Sequence, residues 1–290
     1  MSFCGNFNFR NQVESLIYND LFNVNGNSAV LFKNILKDWY EKVICLRTAD
    51  NSVWQSTSMP PNTEIKIGKQ KDALLDVDKS VFSPNNIISN LKQKAYTHIG
   101  HDTPVWIIPD SVNENLWDTL RIMIISQDPR RDLAGNGVLL STPFGLHCQA
   151  YYNGKIETRI AARLQNMQKN GKQISLYFTD AYKLFVKDPK NNGSISMNLL
   201  NGYDGMFKSI LDKEIELFKP DLIVCWGSFS SNLLLGKNFD FFDASIYDGH
   251  KVLPVMHTSG LAAGHRKQAC NELGFDNDED MYVDSIYNAL

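Results

Sequence analysis

Four residues of this 290-residue chain could together form an active site. Asp128 and Asp180 carry carboxylates, His257 carries an imidazole, and Phe144 carries an aromatic ring. Carboxylates and imidazoles can transfer protons or stabilise developing charge, and an aromatic ring can pack against a planar ligand. These four residues define a candidate active site if the fold brings them together.

Each of these residues also has an ordinary structural explanation. Asp128 precedes a proline and is of a type common in turns, while Asp180 could form a turn or cap a helix. A single histidine such as His257 is more often a hydrogen-bonded structural residue than a catalyst. Phe144 could be an ordinary buried aromatic residue. A functional interpretation therefore depends on a shared location.

Four short apolar runs, separated by helical stretches, are the elements that would position these residues. The predicted strands are 120–126, 174–179, 222–226 and 251–256. The predicted helices, in which apolar residues recur at helical spacing, are 156–167, 203–218, 228–235 and 262–273. This alternation predicts βαβ units.

The apolar runs are continuous and not alternating, which is typical of parallel strands that helices cover on both faces. The sequence therefore predicts a three-layer α/β/α sandwich with a central four-stranded, mainly parallel sheet. In such sheets, ligands bind outside the carboxyl ends of the strands. Because three of the four strand ends are followed by reactive side chains, we expect the site there.

We expect two regions along the chain: a mostly helical or irregular N-terminal extension, 1–110, and the α/β domain, 111–290. Within the extension, apolar positions in 13–22 and 30–43 recur at helical spacing. Segments 51–63 and 97–103 have the composition of long surface connections. The sequence assigns no chemistry to this extension.

The five cysteines are scattered and form no C-x-x-C pair, which argues against a zinc or iron–sulfur site. We therefore expect a reduced, cytoplasmic protein without a metal or other cofactor. No apolar run approaches the ~18 residues that a membrane span needs, so no membrane partner is expected. We also expect a monomer.

The formal net charge of −3 provides no overall basic surplus of the kind that nucleic-acid-binding domains usually carry. A local positive cluster can still hold phosphates on an acidic protein. The candidate residues are Arg130, Arg131, His265, Arg266 and Lys267. The same residues are also compatible with a solvated face.

The segment around Asp128 resembles the first motif of the uracil-DNA glycosylase superfamily, G-Q-D-P-Y-H in its best-known branch. Ser126 stands in place of the glycine, and Arg130 and Arg131 stand in place of the tyrosine and histidine. Segment 257–262, H-T-S-G-L-A, resembles the second motif, H-P-S-P-L-S, with both prolines replaced.

Three further segments agree with this superfamily in order and spacing. Phe144 lies in P-F-G, which is similar to the segment that carries the base-stacking phenylalanine. Segment 179–183, T-D-A-Y-K, resembles T-N-A-V-K of other branches, and segment 220–227 resembles the third strand. The resemblance covers about residues 115–275 and implies a divergent member of the superfamily.

The resemblance implies an enzyme that hydrolyses the N-glycosidic bond of a base flipped out of DNA. Asp128 would stabilise the sugar cation and orient the attacking water, and His257 would donate a hydrogen bond to the leaving base. The implied base contacts are Gln127, Phe144 and Asp180, and the implied DNA contacts are Ser259, Leu261, Arg266 and Arg130. Leu261 would wedge into the base stack, but it could instead belong to the core.

Branches with an iron–sulfur cluster have a close N-terminal cysteine pair that this chain lacks, so no cluster is expected.

Asp180 occupies the position where uracil-specific members have an asparagine. An asparagine amide donates and accepts, and so matches both N3–H and O4 of uracil, whereas an ionised aspartate only accepts. Aspartate favours a base edge rich in donors, such as an amino group, or must be protonated to bind O4. A cytosine or adenine derivative, a damaged base and lost activity all remain open.

The leading hypothesis is a DNA glycosylase of base excision repair that removes a uracil-like or damaged base from single- or double-stranded DNA. One alternative is a module that keeps the fold without the chemistry and binds DNA or a partner protein. Another is an enzyme that acts on free nucleosides or nucleotides, since a fold does not determine its substrate.

Overall fold

In the computed structural model, the described residues are 12–13, 15–22, 45–47, 64–67, 70–73, 75–78, 87, 90–91, 98–109, 118–127, 129, 137–146, 155–187 and 202–290. Asp128, Arg130 and Arg131 lie outside these residues, so the positions of these three candidates stay predictions.

Within the described part of the chain, the structure has fourteen strands and five α-helices. The strands are β1 (Cys45–Arg47), β2 (Glu64–Ile67), β3 (Gln70–Ala73), β4 (Leu75–Asp78), β5 (His98–Asp102), β6 (Val105–Ile108), β7 (Leu120–Ser126), β8 (Gly137–Ser141), β9 (Gln168–Lys169), β10 (Lys172–Asp180), β11 (Phe185–Lys187), β12 (Leu222–Trp226), β13 (Ser245–Tyr247) and β14 (His250–Val255). The α-helices are α1 (Ile156–Gln165), α2 (Asp204–Phe218), α3 (Ser228–Leu235), α4 (Ala263–Leu273) and α5 (Asp278–Ala289). Short 3₁₀ turns lie at Pro143–Gly145 and Gly260–Ala262, and a π-helical turn lies at Ile17–Leu21.

The main sheet has the strand order β1-β6-β10-β7-β12-β14-β13, with β9 paired to β10. Its centre, β10-β7-β12-β14, is parallel and consists of the four predicted strands, so the predicted core is confirmed. The predicted sheet was too small, because β6 and β13 add antiparallel neighbours at either side of this core. A second sheet has the order β11-β5-β8-β4, and β2 pairs with β3.

Helices cover both faces of the main sheet, as predicted. Along β7, Met123 and Ile125 belong to one apolar cluster and Ile122 and Ile124 to another, because side chains alternate along a strand. The first cluster contains apolar residues of α2 and α3, and the second contains those of α1, α4 and α5. This arrangement is the three-layer α/β/α sandwich. Helix α5 was not predicted.

The first 110 residues contain strands β1 to β6, where the sequence predicts a mostly helical or irregular extension. These strands have three to five residues each, too few for a clear alternation, and β5 and β6 pair with partners far along the chain. The expectation of a surface connection at 97–103 is wrong, because His101 and Asp102 in β5 are buried. The predicted helical stretch 30–43 lies outside the described residues.

Strands from both sides of residue 110 are hydrogen-bonded in the same sheets. Strand β6 pairs with β10 in the main sheet, and β5 pairs with β8 and β11 in the second sheet. The proposed boundary between 1–110 and 111–290 stays a prediction.

A buried ion pair between Lys183 and Glu214 joins the segment after β10 to helix α2. The hydroxyls of Tyr177 and Thr179 each lie 3.1 Å from Glu214 Oε1, to which they donate hydrogen bonds. Lys183 Nζ also donates to Thr179 Oγ1 at 2.7 Å. This network holds the segment that directly follows Asp180.

Replacing Glu214 by leucine should lower the free energy of unfolding by about 3–5 kcal/mol, because the ammonium of Lys183 would remain buried without its counter-ion. Urea denaturation measures this change. Glu216→Leu is the matched control, since Glu216 is exposed on the same helix, and it should change stability by less than about 0.5 kcal/mol. Equal losses in both variants would show that the buried pair has no special contribution.

Candidate active site

The carboxyl ends of the neighbouring parallel strands β7 and β10 place Asp180 in register with Ser126. Ser126 Oγ donates a hydrogen bond to Asp180 Oδ1, and the Asp180 side chain is buried, at 1% exposure. The amide of Ala181 donates to Ser126 O, and that of Tyr182 donates to Gln127 O, both at 2.9 Å. Two residues that depart from the motif pattern, Ser126 and Asp180, therefore contact each other.

Phe144 lies in the short turn after β8 with a left-handed backbone, φ 55° and ψ 9°. This region is uncommon for residues other than glycine, and such outliers, each costing about 1–3 kcal/mol, cluster at functional sites. The half-buried ring packs edge-on against Phe178, with centroids 6.1 Å apart, and against Trp226, at 5.8 Å. Phe144 therefore packs against residues at or near the ends of β10 and β12.

His257 follows β14, and its imidazole packs against the turn between β12 and α3. A Cβ built on Gly227 would lie 3.3 Å from His257 Cβ, and Gly227 has φ 99°, so both space and backbone favour glycine there. The amide of Ser259 donates to His257 Nδ1 at 2.9 Å. Since Nδ1 accepts this hydrogen bond, the neutral ring carries its proton on Nε2.

The environment of His257 lowers the pKa of the imidazole below its usual 6.5. Burial is the largest cause, because it disfavours the charged form; the negative charge of Glu157 opposes it, and the positive charge of Arg266 adds to it. His257 is therefore neutral at pH 7 and can donate a hydrogen bond from Nε2.

Arg266 holds the backbone on both sides of Thr258. It is buried, at 8% exposure, and Nη1 donates to His257 O at 3.0 Å and to Ser259 O at 2.7 Å. Its Nε donates to Asp278 at 2.7 Å in an ion pair. The guanidinium thus stabilises the loop that carries His257, and its predicted phosphate contact stays untested.

Leu261 is 98% exposed on the turn Gly260–Ala262, two residues after Ser259. The alternative that it belongs to the core is therefore excluded. His265 and Lys267, from the predicted positive cluster, are exposed on α4, which follows this turn. An exposed apolar side chain is thus followed by polar and positively charged residues.

Trp226 lies between Phe144 and the segment that carries His257, although the sequence assigns it no role. Its ring contacts Phe144, and its Nε1 donates to Thr258 Oγ1 at 3.3 Å, next to His257. Phe144 in turn contacts Phe178, two residues before Asp180. In the sequence, the one indication of a role for Trp226 is its position as the last residue of the third predicted strand.

No group of three or more metal-ligating side chains occurs among the described residues. None of the helices in the described ranges is long and apolar enough to cross a bilayer.

A comparison with curated proteins finds none that matches the chain. The family model of the Uracil DNA glycosylase superfamily matches residues 115–279, which is more than half of the chain. The match includes β7, β10, β12 and β14 with their strand-end residues. The chain belongs to the uracil-DNA glycosylase superfamily.

Proposed function

We propose that this protein is a DNA glycosylase that hydrolyses the N-glycosidic bond of a base flipped out of the DNA stack. The observation that carries this proposal is the hydrogen bond that the Ser259 amide donates to His257 Nδ1, which leaves Nε2 as the donor of the neutral imidazole. Burial is the largest cause that lowers the pKa of this imidazole, and it favours the neutral form. A neutral donor at a strand end suits a reaction in which negative charge develops on the leaving group. The position of Phe144 supports stacking on a flipped base.

In the proposed reaction, the bond between the base nitrogen and C1′ breaks, and the base leaves with the electron pair. Positive charge develops on the sugar and negative charge on the base. His257 Nε2–H stabilises the base anion through a hydrogen bond. By resemblance to the superfamily, Asp128 stabilises the sugar cation and orients a water, whose oxygen bonds to C1′ while one of its protons passes to solvent. The released base anion takes up a proton from solvent, so the products are the C1′ hydroxyl of the abasic site and the neutral base.

The contact between Ser126 and Asp180 supports a base that offers a donor at its recognised edge. Because the serine hydroxyl donates to Oδ1, the carboxylate acts as an acceptor in this contact. An exocyclic amino group, as in cytosine or adenine derivatives, is the complementary partner for a carboxylate. Gln127 lies at the end of the same strand pair and is proposed to line the base pocket.

We propose that Leu261 fills the space that the flipped base leaves. Leu261→Ala should slow base release from a duplex about tenfold and leave release from single strands nearly unchanged, because only a duplex requires a wedge against unstacking. Single-turnover rates on both substrates measure this difference. Ile246→Ala is the control, since Ile246 is 68% exposed in β13 at the sheet edge. Equal losses on both substrates would contradict the wedge role.

A panel of oligonucleotides tests the proposed function. Single strands that carry uracil, cytosine, hypoxanthine, xanthine or an alkylated base are incubated with the protein, and abasic sites are then cleaved with alkali. We expect strand cleavage on at least one base. Salt-dependent DNA binding with no cleavage on any base would favour the binding module. Release of base from mononucleosides alone would favour the free-nucleoside enzyme.

A further inference from the structure

A short series of hydrogen bonds joins the His257 loop to two other elements. Trp226 Nε1, at the end of β12, donates to Thr258 Oγ1 at 3.3 Å. Thr258 Oγ1 donates in turn to the carboxylate of Glu157, in the first turn of α1. Thr258 lies between His257 and Ser259. Its side chain is held by these two hydrogen bonds, and Arg266 donates to the backbone carbonyls of the residues on either side.

The direction of these bonds follows from the chemistry of the groups. An indole N–H can only donate, so the threonine hydroxyl accepts from Trp226. The hydroxyl proton is then available for an acceptor, which is the carboxylate of Glu157. Threonine occupies a position where the second superfamily motif has proline, which has no hydroxyl. This link is therefore a feature of this chain's own sequence.

Glu157 also acts on His257 through its charge. Among the described residues, the charged groups at the His257 loop are Glu157 from α1, Arg266 from α4, and Asp278, which is paired with Arg266. Burial and Arg266 lower the pKa of His257, whereas Glu157 raises it. Removing the charge of Glu157 should therefore lower the pKa of the imidazole further.

We propose that Glu157 is a positioning residue for His257, acting through the Thr258 hydroxyl to fix the loop that presents the imidazole. The effect on catalysis rests on the proposed glycosylase function, but the effect on the imidazole does not. A contact that only attached α1 to the loop would change stability and leave the titration of His257 unchanged.

Substitutions at Thr258 and Glu157 separate geometry from charge. Thr258→Val keeps the approximate shape but removes the hydroxyl, and Thr258→Ser keeps the hydroxyl and should restore wild-type behaviour. Glu157→Gln keeps an oxygen acceptor for Thr258 but removes the charge. Thr158→Val is the matched control, because the Thr158 hydroxyl bonds to Lys155 O at the start of the same helix.

The titration of His257 is measured by NMR in the full-length protein, with the signal identified by its loss in a His257→Gln variant. In Glu157→Gln, we expect the imidazole pKa to fall below the wild-type value because the negative charge is removed. In Thr258→Val, we expect it to fall because the carboxylate of Glu157 is no longer held beside the loop. In Thr258→Ser and Thr158→Val, we expect the wild-type titration. Identical titrations in all five proteins would overturn the inference.

Kinetics provide the second readout on whichever base the wild-type protein releases. Thr258→Val should lower kcat about 10- to 100-fold with little change in KM, because displacement of a catalytic group affects the transition state more than binding. Wild-type kcat in Thr258→Val would overturn the positioning role. If the wild-type protein releases no base while the His257 pKa shifts as expected, the glycosylase function fails and the structural link stands.

Discussion

Replacing Asp128 by asparagine should lower turnover by about 10²- to 10⁴-fold, while the affinity for DNA remains nearly unchanged. The substitution removes a negative charge without removing bulk. In the proposed reaction, that charge stabilises the sugar cation, which exists only as the bond breaks, so the ground-state complex loses little. Single-turnover cleavage rates and fluorescence anisotropy of a labelled oligonucleotide measure the two quantities.

Asp132→Asn is the matched control, since it removes the same charge four residues further along. It should leave turnover unchanged if the carboxylate of Asp128 has the specific role that the motif implies. Wild-type turnover in Asp128→Asn would remove this residue from the chemistry, and equal losses in both variants would point to a general effect of charge in this part of the sequence.

Replacing Asp180 by asparagine should shift the ratio of cleavage rates toward uracil by at least about 10²-fold, relative to a base with an amino group. An amide both donates and accepts, and so matches O4 and N3–H of uracil, whereas a carboxylate only accepts. A site whose buried polar groups hydrogen-bond the edge of one base strongly rejects a base with a different edge, because those buried groups are then left without hydrogen-bond partners. Rates of base release from paired oligonucleotides give the ratio.

Ser126 extends this test, because its hydroxyl donates to Asp180. Ser126→Gly should weaken the preference of the wild-type site and have less effect in the Asp180→Asn background, since the two side chains act as a pair. Asp204→Asn, at an exposed position of α2, controls for the loss of charge. An unchanged base ratio in Asp180→Asn would show that this side chain does not contact the base.

The central sheet could be predicted because its strands are buried on both faces. Runs such as 120–126 and 222–226 are continuously apolar, and helical stretches of regular period separate them. The short strands before residue 110 could not be predicted in this way. Strand β2 reads Glu-Ile-Lys-Ile, which alternates over only four residues, and β3 reads Gln-Lys-Asp-Ala, which does not alternate, so neither run is long enough to predict a strand clearly.

The sequence indicates the residues of the candidate site, whose shared role stays a prediction, but it does not indicate the contacts between them. The motifs indicated Phe144, Asp180 and His257, and the structure shows the aromatic contacts of Phe144 and the Nδ1 bond of His257. The bond between Thr258 and Glu157 joins residues far apart in the chain, and local patterns contain no information about such pairs. The buried position of Arg266 was likewise missed, since arginine is usually exposed.

A crystal structure of the Asp128→Asn protein bound to an oligonucleotide, carrying the base that the wild-type protein releases fastest, tests the central claim most directly. We expect the base outside the stack, with its ring against Phe144, its edge at Asp180, and His257 Nε2 about 2.7–3.2 Å from a base acceptor atom. A base bound elsewhere on the protein, or facing none of these three side chains, would contradict the account.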